Sequence, residues 1–191
     1  MNFLAHFLLA EPTDASRVGA LLSDFVRGTP ESLSGKFPDE VIEGIILHRR
    51  IDSLTDGHPV FLKCKQWLRK DRRKFSGIIV DLFFDHFLTK YWDRFGDGDL
   101  SDYIDHLYTL LERRSAWLTD ELRQVTPRMK REDWLRSYSD IEGLRLTFRR
   151  VSQRRDFLTP IVGSEEDLDD HYDDFEKAFL CFYPDLQSAL R

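Results

Sequence analysis

The chain is poor in the features that mark several protein classes. It has two cysteines, Cys64 and Cys181, far apart and without C-x-x-C spacing. That argues against a disulfide framework or a thiolate zinc site and predicts two buried, reduced thiols in a cytosolic protein. No apolar run approaches the roughly 18 residues of a membrane span. The apolar start, Met1 to Leu9, has no basic leading region, contains His6 and is followed by no small-residue cleavage site. It is expected to be a core helix, not a signal peptide. Strand-like alternation is rare, and repeats, low-complexity stretches and linkers are absent. The protein is therefore expected to be a cytoplasmic domain with neither membrane nor nucleic acid as a partner.

What is present suits a folded helical domain. A chain of 191 residues fits one domain and can bury roughly 70% of the surface its unfolded form exposes. Hydrophobic residues make up 41% and charged residues 32%, which separates it from disordered chains. Fifteen Phe, four Trp and six Tyr predict a bulky core or a recognition surface. The net charge of −6 is unevenly spread. Residues 165–174 (EEDLDDHYDD) hold seven acids and no Lys or Arg, so the remainder is close to balanced. Basic residues cluster at Arg69, Lys70, Arg72, Arg73 and Lys74, and again at Arg145, Arg149, Arg150, Arg154 and Arg155. Such runs are either solvated faces or a docking site for an acidic partner.

Apolar residues recur at spacings of three and four almost throughout. Helices are expected at about 2–10, with Asn2 as N-cap, and at 14–26, ending at Gly28. A loop is expected at 28–37, then a helix opened by Pro38 and closed by Gly57, with Pro59 opening the next. The segment from Arg73 to Phe95 is the most apolar and predicts a central helix. After Gly96–Asp99, helices are expected from Ser101 to Leu111 and near 131–139, 140–155 and 165–182. The fold class predicted is an all-α, single-domain helical bundle over residues 1–191.

The informative anomaly is polar side chains within apolar helix stripes, since a buried charge is costly unless paired or metal-bound. His6 lies in NFLAHFLLA and Asp24 in ALLSDFVRG. His48 and Asp52 are four apart and share a helix face. Asp81, Asp85 and His86 lie inside the most apolar helix. Each has a structural alternative: His6 as a satisfied core residue, Asp24 paired with Arg27 or Arg50, Asp81 and Asp85 as buried hydrogen-bond acceptors. Asp102 and His106 share the same four-residue spacing on a polar helix and are read as surface, so spacing alone decides nothing. The combination is what points to a metal. Several helices each contribute a His or Asp to one core, and mixed N/O donors without thiolate suit Mn²⁺, Mg²⁺ or Fe²⁺. A metal there would activate water and stabilise charge on a phosphoryl oxygen. Arg27, Arg49 and Arg50 adjoin these residues and are candidates to hold a phosphate.

The segments NFLAHFLLA, GALLSDFVRG, HRRIDSLTD, DHFL and HYDDFEKAFLCFYP, in this order, resemble those of acyl carrier protein phosphodiesterases. The resemblance runs from residue 2 to about 184 and is thin between 97 and 140. It implies a helical fold akin to the HD-domain phosphohydrolases, with the motif order rearranged. It also implies Mn²⁺-dependent hydrolysis of the phosphodiester that joins 4′-phosphopantetheine to a serine of acyl carrier protein. Asp24, His48, Asp52 and His86, with His6 or Asp85, would hold the metal, and Arg27 or Arg50 would neutralise the phosphoryl oxygens. Asp85-His86 departs from the usual HD order. The run from Arg69 to Lys74 would dock the acidic carrier protein. Two other readings stand beside this one: an HD-type phosphohydrolase acting on a nucleotide, and a non-enzymatic helical module that binds an acidic protein. A di-iron oxidase would require Glu-x-x-His pairs, and none is present.

Overall fold

The structure is a computed structural model that describes residues 1–191. It is all-helical, with one isolated bridge between Ser34 and Phe37 and no strand. The helices are α1 (Phe3–Leu9), α2 (Asp14–Leu22), α3 (Pro30–Leu33), α4 (Asp39–Gly57), α5 (Pro59–Trp67) and α6 (Ser76–Lys90). They continue as α7 (Trp92–Phe95), α8 (Leu100–Arg113), α9 (Asp120–Arg131), α10 (Ile141–Ser152), α11 (Glu165–Asp170) and α12 (Tyr172–Leu190). A single apolar cluster of 46 buried residues runs from Met1 to Leu186. The central helix is α6, buried along most of its length as its all-round apolar sequence predicts. Phe83, Phe84 and Phe87 of α6 meet Phe175, Phe179 and Phe182 of α12.

Several boundaries differ from expectation for local reasons. The helix expected at 14–26 stops at Leu22, where the N–H groups of Phe25 and Val26 both turn back to the Leu22 carbonyl. This puts Asp24 on a turn, free of the helical lattice. The expected loop at 28–37 contains the short α3, opened by Pro30. The expected helix at 131–139 is instead a turn and a short 3₁₀ segment, Arg136–Ser139, while α9 forms just before it despite Pro127. His171 interrupts the last expected helix and divides α11 from α12. Cys64 is buried as expected, whereas Cys181 is exposed, and neither is in a disulfide. No helix is long and apolar enough to cross a membrane.

Two glycines bring α2 and α4 together. A Cβ on Gly19 would lie 2.2 Å from the Val41 carbonyl oxygen, and one on Gly44 would lie 2.5 Å from the Ser16 carbonyl oxygen. Only glycine permits backbones this close. The crossing lays the end of α2 beside the middle of α4, which sets up the candidate site.

Candidate active site

His48 projects from α4 at this crossing. Its Nδ1–H donates to the Ala20 carbonyl of α2 at 2.6 Å, which fixes the ring. Its Nε2 is left 3.0 Å from Asp52 Oδ2 and 3.5 Å from Asp24 Oδ1. A histidine anchored through one nitrogen to a backbone carbonyl presents the other as an oriented ligand. His6 of α1 stacks on His48 with ring centroids 3.6 Å apart and an interplanar angle of 10°. His6 Nε2 lies 3.1 Å from Asp52 Oδ1 and 3.0 Å from the Met1 carbonyl. Asp52 therefore bridges two imidazoles from different helices.

The two rings take opposite electrostatic states. Burial lowers the His6 pKa to about 4. Burial also opposes the charge of His48, but the hydrogen bonds its Nε2–H donates to Asp24 and Asp52 overturn this and raise the pKa to about 9. Burial would raise the Asp52 carboxyl, yet the two histidines hold it well below the usual carboxylate range. Two cations 3.6 Å apart would repel strongly, so a neutral His6 over a charged His48 is the stable arrangement without metal.

The donor set fits a divalent cation. His6, His48 and Asp52 each bring one potential ligand atom to within 4.8 Å of the others. His6 Nδ1 is buried with no hydrogen-bond partner, and buried polar atoms are normally satisfied. Two imidazoles with carboxylate oxygens and no thiolate make a mixed N/O donor set of the kind that holds divalent metals.

Four of the residues expected at the metal converge here: His6, Asp24, His48 and Asp52. Two do not. Asp85 is fully buried, and its two oxygens accept the Asn2 and Leu4 N–H groups at 3.1 and 2.9 Å. It satisfies the free N–H groups that begin α1, the acceptor role open to it from its sequence. His86 places Nδ1 2.8 Å from the Tyr138 carbonyl and Nε2 3.1 Å from the Tyr172 hydroxyl, so both nitrogens are occupied. The expected phosphate-binding arginines are also displaced. Arg50 reaches the Ala189 carbonyl at 2.7 Å, Arg49 the Gly28 carbonyl at 2.7 Å, and Arg27 is exposed outside the cavity lining.

The expected docking run is partly consumed within the molecule. Arg69 pairs with Glu166, Asp167 and Asp170, and the buried Arg72 lies 3.1 Å from the buried Asp167. The acidic segment thus neutralises the basic run that precedes α6. Arg73 donates to the Gln66 and Leu68 carbonyls. Lys70 and Lys74 remain exposed.

Asp24, His48 and Asp52 line a cavity of about 450 Å³, with His6 stacked behind His48. Its lining also includes Trp134, Thr147, Arg150 and Arg154, none of them expected at the site. Thr147, Arg150 and Arg154 recur at helical spacing along and just beyond α10, a signal visible in the sequence. Trp134 lies in the irregular stretch between α9 and α10, where no periodicity could reveal it.

Comparison with known proteins gives the family of this chain. Residues 1–186 match the family described as Acyl carrier protein phosphodiesterase. A protein of that name from Pectobacterium atrosepticum is 36% identical over 100% of this chain and 98% of its own length. One from Photorhabdus laumondii is 34% identical over 96% of this chain and 92% of its own length. One from Yersinia pestis is 33% identical over 97% and 95% respectively. No solved structure matches the chain. The chain belongs to the acyl carrier protein phosphodiesterase family, a family of enzymes.

Proposed function

We propose that this protein hydrolyses the phosphodiester between 4′-phosphopantetheine and a serine of holo-acyl carrier protein, releasing apo-acyl carrier protein and 4′-phosphopantetheine. The reaction is metal-dependent, with Mn²⁺ as the cation and Mg²⁺ or Fe²⁺ as substitutes. The observation that carries this reading is the His6–His48–Asp52 cluster at the edge of a cavity, in a member of this family. Residues 1–191 act as one phosphodiesterase domain in the cytoplasm, on a helical scaffold of the rearranged HD type.

His6, Asp24, His48 and Asp52 would hold the cation, which when bound supplies Lewis acidity toward a phosphoryl oxygen and activates water. The chain's own part is orientation. The Ala20 carbonyl fixes the tautomer of His48, and the half-exposed Asp52 holds both imidazoles while remaining open to the cavity. Apolar residues of the lining, including Leu82 and Val151, limit water around the reacting bond. Lys70 and Lys74, with the exposed arginines of the second basic cluster, supply local attraction for an acidic carrier protein.

Purified protein is incubated with holo-acyl carrier protein and Mn²⁺, and the carrier is followed by intact-protein mass. Conversion to the apo form, abolished by EDTA and restored by Mn²⁺, is expected. No release of 4′-phosphopantetheine, together with hydrolysis of a nucleotide panel, would overturn the assignment.

A further inference from the structure

The cavity carries both signs of charge, and they do not meet. Its carboxylates have local partners: Asp24 and Asp52 face His48, Asp56 pairs with Lys65 at 2.9 Å, and Asp81 pairs with the Met1 amino group. Arg150 is braced from behind by Glu132 and the Ser137 hydroxyl, at 3.4 and 3.2 Å. Arg154, on the same lining, has neither a carboxylate within ion-pair distance nor a hydrogen-bond acceptor for its guanidinium, which lies 5.8 Å from the centroid of the Phe3 ring. An arginine fork at a cavity also lined by metal-type ligands is suited to a phosphoryl group, which needs both.

A second feature adjoins it. An apolar groove of about 470 Å³ shares Gly77, Ile78 and Leu158 with the cavity and continues to Phe75, Phe157 and Lys74. Ile78 is 38% and Phe157 62% exposed, among the few large apolar side chains left open to solvent. Phe157 stacks on Phe75 with centroids 6.4 Å apart. Exposed apolar residues that continue a polar site indicate a ligand with a charged head and a less polar tail.

We propose that Arg154, supported by Arg150, binds the phosphoryl oxygens of the substrate, and that the groove over Ile78, Leu158 and Phe157 holds its pantetheine arm. This assignment rests on the phosphodiesterase reading above and extends it to the path of the substrate. The groove's occupant follows from its continuity with the cavity. Whatever is bonded to a phosphoryl group at Arg154 has the groove beside it. The pantetheine arm, uncharged and extended, suits an apolar channel better than the acidic carrier protein does.

The test is calorimetric binding of 4′-phosphopantetheine and of inorganic phosphate to the Mn²⁺-loaded protein. Arg154→Gln is expected to weaken both ligands by about tenfold, with Arg154→Lys recovering part of the loss. Phe157→Ser and Ile78→Ser are expected to weaken 4′-phosphopantetheine by about fivefold and leave phosphate unchanged. All three positions are exposed, so melting temperatures should hold. Unchanged 4′-phosphopantetheine affinity in Arg154→Gln, equal effects of the groove variants on both ligands, or no wild-type binding at millimolar concentration would each overturn the proposal. Wild-type protein that converts holo-carrier protein while the variants bind like wild type refutes this inference alone. Failure of that conversion refutes the phosphodiesterase reading instead.

Discussion

Of the histidine–aspartate pairs in this bundle, the one on α4 and the one on α6 lie in its apolar helices, and their surroundings divide them. His48 and Asp52 stand beside a cavity. One nitrogen of His48 is anchored to a carbonyl, and the other faces two half-exposed carboxylates. The neighbouring His6 keeps a buried nitrogen without a partner. Asp85 and His86 are both buried, and both oxygens of the acid and both nitrogens of the imidazole are taken by protein groups. The first set has donor capacity left for a ligand and the second has none. Unspent hydrogen-bonding capacity beside open space, more than burial or residue type, distinguishes a site from a structural polar cluster.

The comparison can be broken most decisively at Asp52. Asp52→Ala should lower kcat/KM on holo-carrier protein by about 10³-fold or more, comparable to losing a principal charge-stabilising group. Its melting temperature should fall only modestly, because the half-exposed carboxylate leaves no cavity although its bridge between His6 and His48 is lost. Steady-state kinetics beside a thermal melt checks both halves, and retained activity would remove Asp52 from the site. Asp85→Ala should show the reverse. It strands the buried Leu4 N–H, at about 1–3 kcal/mol, and the partly buried Asn2 N–H, which urea denaturation would read as lost stability. A variant that kept its stability but lost Mn²⁺ would exchange the roles of the two pairs.

The smallest expected effect concerns protons. His48 is raised from its ordinary value of 6.5 to about 9. Without metal it therefore holds a proton through the neutral range. That proton stabilises the fold fully below the ordinary value, and the contribution is lost as pH rises through about 9. A cation must displace the proton, so Mn²⁺ affinity should rise by about tenfold per pH unit and flatten above pH 9. Calorimetry at several pH values, with proton release counted, would show it. His86 has no free nitrogen to offer, so His86→Gln should leave this slope unchanged. A flattened slope in that variant would bring His86 back to the metal.

All four candidate ligands were legible as polar residues in apolar stripes: His6, Asp24, His48 and Asp52 meet because the apolar segments that carry them share one core. Asp85 and His86 carry the same signal and face other protein groups, because periodicity reports burial and not hydrogen-bond partners. Arg50 is next to a ligand residue in sequence yet points to Ala189. Arg154 is more than a hundred residues from His48 and lines the same cavity. The basic run at 69–74 was read as free charge, but the acidic segment nearly a hundred residues later folds back onto it. The helix missed at α9 has few apolar residues and an internal proline, although those few, Leu122, Val125 and Met129, keep helical spacing.

Apolar spacing by itself determined that this chain is a helical bundle with α6 at its centre, because a 3.6-residue repeat can bury its stripe only against other helices. Sequence also placed His48 and Asp52 on one face of α4, since four residues make about one turn. Only the tertiary structure decided which polar residues share a cavity. The close crossing at Gly19 and Gly44 sets Ala20 against His48, and the start of α1, held by Asp85, precedes the turn that carries His6 onto it. Those are long-range packing choices between elements whose local sequences carry no mark of one another.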